Sequence, residues 1–75
     1  MSLKRDLAKE LRMIEAEIQS LEIKRSRSQA ALIQALVDHK DPDTTDIGYF
    51  RTYTAQIEVK RDRLKEVTKK LEALV

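Results

Sequence analysis

Two groups of residues in this chain have side chains that could do chemistry. The first is Asp38, His39, Asp41, Asp43 and Asp46, an imidazole among carboxylates on one short stretch, a set of side chains that could ligate a metal ion. The second is a seven-residue phrase that occurs twice, Leu21-Glu22-Ile23-Lys24-Arg25-Ser26-Arg27 and Ile57-Glu58-Val59-Lys60-Arg61-Asp62-Arg63, whose cations could meet phosphates or an acidic partner. The acidic stretch does not have calcium-loop spacing. Asp41, Asp43 and Thr45 imitate the first ligands, but Gly48 is misplaced and no Glu closes a loop. Capping and turn formation account for these Asp residues, so no metal ligand and no cofactor are expected. One His, no Cys, no Gly-rich loop and no concave pocket expected in a two-helix rod announce no active site, so no catalytic residue and no small-molecule substrate are expected.

The elements that carry these residues follow from composition and period. A charged fraction of 37% with one Gly, one Pro and three aromatic residues describes long surface helices. Apolar residues recur at Leu7, Leu11, Ile14, Ile18 and Leu21, are interrupted by Arg25 and Ser28, and resume at Leu32 and Ala35. A second stripe, Phe50, Thr54, Ile57, Arg61, Leu64, Thr68, Leu71 and Val75, is widened on one side by Tyr53, Val67 and Leu74. Between them, Asp38 to Asp46 holds the turn formers and Pro42, with Asp41, Asp43 or Thr44 as the N-cap of the second helix. The predicted chain is all-α, a single hairpin domain over residues 1–75 with helices at 2–38 and 44–75 and a loop at 39–43. The short connection makes it an antiparallel coiled coil about 50 Å long.

Facing residues whose numbers add to 82 gives layers from Leu7/Val75 to Leu32/Phe50, nearly all with an apolar member. In this register Leu21 meets Arg61 and Ile57 meets Arg25. Glu22 is then expected to pair with Arg61, and Glu58 with Arg25, so that these four residues set the register. On the opposite flank Lys24, Arg27, Lys60 and Arg63 converge and are read as an anion- or partner-binding cluster. Of the four, only Arg63 has an acid, Glu66, at helical spacing. The same flank carries Leu3, Ala31, Tyr53, Val67 and Leu74, the expected oligomer interface. There, a second antiparallel copy would offer Glu10 and Glu17 to the cations.

A chain of 75 residues without disulfides gains little from its own core, about 3 to 5 kcal/mol, so self-association is the expected support. The expectation is therefore a homodimeric four-helix bundle, a cytoplasmic adaptor or assembly module that docks a partner protein. The alternative is a nucleic-acid-binding hairpin using the mid-helix cations. The aromatics do not interleave with those cations, and the net charge of +2 is small, which favours the protein partner. No apolar run approaches the roughly 18 residues of a membrane span, and a membrane-surface helix is disfavoured because the polar face is not uniformly basic, so no membrane partner is expected. Ile23, Ala30, Ile33 and Val37 follow helical spacing away from the seam and form a candidate docking strip.

Overall fold

The computed structural model describes residues 2–74 and has two α-helices, α1 at Leu3–Val37 and α2 at Thr44–Ala73. They pack against each other as a hairpin, a rod of 56 × 16 × 14 Å. The sequence spans were 2–38 and 44–75; Val75, and with it the Leu7/Val75 layer, lies outside the described residues.

The turn is built from the chain's own capping chemistry. α1 ends in a paired motif in which the Lys40 amide donates to the Ala35 carbonyl at 2.8 Å and the His39 amide to the Leu36 carbonyl at 3.1 Å. That geometry requires a left-handed residue just past the helix end, and here it is His39, at φ 56°. His39 thus serves backbone geometry, and because a side chain is disfavoured there, His39→Gly should stabilise the hairpin by about 1 kcal/mol in chemical denaturation. α2 is opened by Asp43, whose carboxylate accepts from the Thr45 amide at 2.8 Å, while Asp46 sits in the first turn against the positive end of the helix.

Along α1 the inward positions follow the expected stripe. Leu7, Ile14 and Ile18 are buried, and Leu11, Leu21, Arg25, Ser28, Leu32 and Ala35 are half-buried. α2 is turned about its axis relative to expectation. Its inward positions are Phe50, Tyr53, Ile57, Lys60, Leu64, Val67 and Leu71, while Arg61 is exposed. The two candidate stripes share Phe50, Ile57, Leu64 and Leu71, and between them the structure turns Lys60 rather than Arg61 and Val67 rather than Thr68 inward, with Tyr53 and Thr54 both half-buried. Burying Val67 and the Tyr53 ring removes more apolar surface from water than burying two threonines. Each Thr has a hydroxyl to satisfy: Thr68 Oγ1 donates to the Leu64 carbonyl at 2.8 Å, whereas Thr54 Oγ1 is buried with no hydrogen-bond partner.

This rotation corrects the expected oligomer interface. Val67 is fully buried inside the hairpin at 0% exposure, so it presents nothing to a second copy. Tyr53 is half-buried and stacks on Tyr49 with ring centroids 6.1 Å apart. Leu3, Ala31 and Leu74 remain exposed. The core is uneven along the rod. Leu7, Ile14, Ile18 and Val67, with Leu11, Leu64 and Leu71 packed on them, fill the half farthest from the turn. Toward the turn, among the described residues, Ile57 is the one buried hydrophobic.

Candidate interaction surface

The repeated phrase is spelled alike in both helices but meets the seam in different phases. In α1 the inward step from Leu21 is four residues, to Arg25; in α2 the step from Ile57 is three, to Lys60. Copy one therefore lays Arg25 in the seam, while copy two lays the Lys60 stem there and leaves Arg61 outside. The consequence is an asymmetric dyad. Arg61 Nη2 donates to Glu22 Oε1 at 3.1 Å, the expected pair. Glu58 is exposed, and neither it nor Arg25 makes an ion pair among the described residues. A charge-swap series should report the difference. Glu22→Arg should destabilise by under about 1 kcal/mol and Glu22→Arg/Arg61→Glu should recover it, while the same cycle on Arg25 and Glu58 gives no coupling in urea melts.

Within the basic cluster the rotation of α2 brings in acids from α1. Lys60 Nζ pairs with Glu17. Arg63 donates to Glu10 Oε1 through Nη2 at 2.6 Å and Nε at 2.9 Å, and through Nη1 to Glu66 at 3.1 Å. The Glu10 hydrogen bond, followed by that from Glu66, holds the Arg63 guanidinium above its ordinary pKa. Glu10 and Glu17, expected to come from a second copy, thus come from the same hairpin and neutralise half of the cluster. Sequence reasoning missed this because helical spacing along one chain does not report partners on the other helix. The signal that could have found it was the 3-4 spacing of Phe50, Tyr53, Ile57, Lys60, Leu64, Val67 and Leu71, apolar at every place but one.

Lys24 and Arg27 are exposed and, among the described residues, make no ion pair. With Arg25 they form a cationic run, and α1 carries no carboxylate from Ile23 to its end at Val37. The same stretch exposes large apolar side chains outward, Ile23 at 55%, Ile33 at 52% and Val37 at 64%, with Leu36 beside them. A shallow depression over Gln19, Glu22, Ile23, Ser26 and Arg27 begins this surface. Lys24, Arg25 and Arg27, the exposed Ile23, Ile33, Leu36 and Val37, and the partnerless Thr54 hydroxyl lie together in the turn-proximal half, where the core is thinnest.

Among the described residues no three His, Asp or Glu side chains are grouped to hold a metal ion, and no helix is long and apolar enough to cross a membrane. No family model matches the chain, and comparison with curated proteins and with solved structures gives no match.

Proposed function

We propose that the protein is a non-enzymatic assembly module, a cytoplasmic helical hairpin that self-associates into a four-helix dimer and in that form docks a partner protein. One observation carries this reading. Among the described residues, nine large hydrophobic side chains are exposed at 45 to 68%, against five that are buried. Scattered exposed apolar residues are ordinary, but a two-helix rod that exposes more large apolar side chains than it buries gains by covering some of them. Sedimentation equilibrium is the test. A dimer is expected at micromolar concentration, and a stable folded monomer there would overturn the proposal.

A second reading, a nucleic-acid-binding hairpin, is supported by the unpaired Lys24, Arg25 and Arg27. It loses Lys60 and Arg63, which are engaged by Glu17 and Glu10. The three cations left in this patch release few counterions, so fluorescence anisotropy with labelled RNA and duplex DNA should show no saturable binding at about 0.15 M salt. Tight binding that falls steeply with salt and disappears in Lys24→Glu/Arg27→Glu would favour this reading over the first.

A further inference from the structure

The outward face of α1 carries a second stripe with coiled-coil spacing, Ile23, Ser26, Ala30, Ile33 and Val37, all exposed and at steps of three and four residues. It is independent of the seam that holds the hairpin together. Two small residues, Ser26 and Ala30, are followed by two large ones, Ile33 and Val37, so that this part of the stripe is self-complementary when reversed. An antiparallel copy can place Ile33 over Ala30 of the partner copy, and Val37 over Ser26 of the partner copy, each repeated by the two-fold axis.

Charge chooses the same arrangement. The stripe is flanked by Arg27, and the turn that follows it holds Asp38, Asp41, Asp43 and Asp46 against Lys40. With Ile33 over Ala30, Arg27 of one copy comes within about 3 Å along the axis of Asp38 of the other, and the acidic turn lies along that flank. The competing register, one heptad away, sets Ile23 over Ile33 and Ser26 over Ala30. It brings the two Arg27 side chains to about 3 Å along the axis, whereas the first keeps them about 13 Å apart, beyond the screening length of about 8 Å. Glu22, which would lie near Asp41 of the other copy, is already engaged by Arg61.

We propose that a second copy of this chain docks on the Ser26–Val37 face of α1, antiparallel, with Ile33 over Ala30 and the acidic turn against Arg27. This identifies the surface used by the self-association proposed above and rests on that reading. The wild-type chain, Ile33→Asp, Val59→Asp and Ser26→Cys/Val37→Cys are compared by sedimentation equilibrium, the last also after mild oxidation. Ile33 and Val59 are both exposed, so neither substitution touches the core, and circular dichroism checks that both variants remain helical. Because the axis counts each substitution twice, Ile33→Asp should raise the dimer dissociation constant at least about 100-fold while Val59→Asp leaves it unchanged. The cysteine pair, in a chain with no other cysteine, should oxidise to a covalent dimer. A wild-type dimer that Ile33→Asp does not weaken, or that the cysteine pair fails to link, overturns this surface and leaves self-association standing. A monomeric wild type overturns both.

Discussion

Val67→Asp should abolish the folded hairpin, with helical circular dichroism lost at 25 °C, whereas Thr68→Asp, one residue on, should keep it. Val67 is at 0% exposure, enclosed with Leu7, Ile14 and Ile18, and no cation lies in that cluster to receive a carboxylate. Burying a carboxyl without a partner costs several kcal/mol even when it takes up a proton, about as much as the whole core of a chain this size supplies, roughly 3 to 5 kcal/mol. Thr68 is only half-buried, so an Asp there reaches water and loses little beyond the Thr68 bond to the Leu64 carbonyl, about 1 kcal/mol. The comparison reads the rotation of α2 directly. If Thr68→Asp unfolds the protein and Val67→Asp does not, Thr68 rather than Val67 faces α1.

Ile57→Ala should cost about 2 to 5 kcal/mol, nearly all the stability available, and should act unevenly along the rod. Ile57 is the fully buried side chain of the turn-proximal half, where the remaining inward positions, Leu21, Arg25, Ser28, Leu32, Ala35, Phe50 and Tyr53, with Thr54 at their edge, are only half-buried. No neighbouring buried cluster can close over the space it leaves. Hydrogen exchange should therefore show loss of amide protection first at residues 21–35 and 47–57, while the half around Ile14 and Val67 loses least. Uniform loss along both helices would mean that the hairpin opens as one unit. The same thinness of core separates the turn-proximal half, which exposes its apolar stripe and unpaired cations, from the far half, closed by Leu7, Ile14 and Ile18 and by the Glu10 and Glu17 pairs.

Much of this arrangement is local and therefore legible in the sequence. Apolar spacing from Leu7 to Ala35 defines the inward face of α1 because one stripe there has no rival. The acidic and turn-forming residues from Asp38 to Asp46 mark the reversal because their preferences act within a few residues. The Glu22–Arg61 pair was also reachable, since both side chains are long enough to meet across a small error in rotation. α2 is different. Two stripes one residue out of phase share Phe50, Ile57, Leu64 and Leu71, and although the one through Tyr53 and Val67 is the more apolar, both keep helical spacing within the chain. Only packing against α1 decides, since the helix turns to bury Val67 and the Tyr53 ring. That one rotation then places Lys60 and Arg63 beside Glu17 and Glu10, removes Val67 from the outer surface and breaks the symmetry of the doubled phrase. The chain's own residues determine that there are two helices and where they turn. Which cations remain unpaired depends on the apolar area that α2 can hide, a property of the two faces in contact.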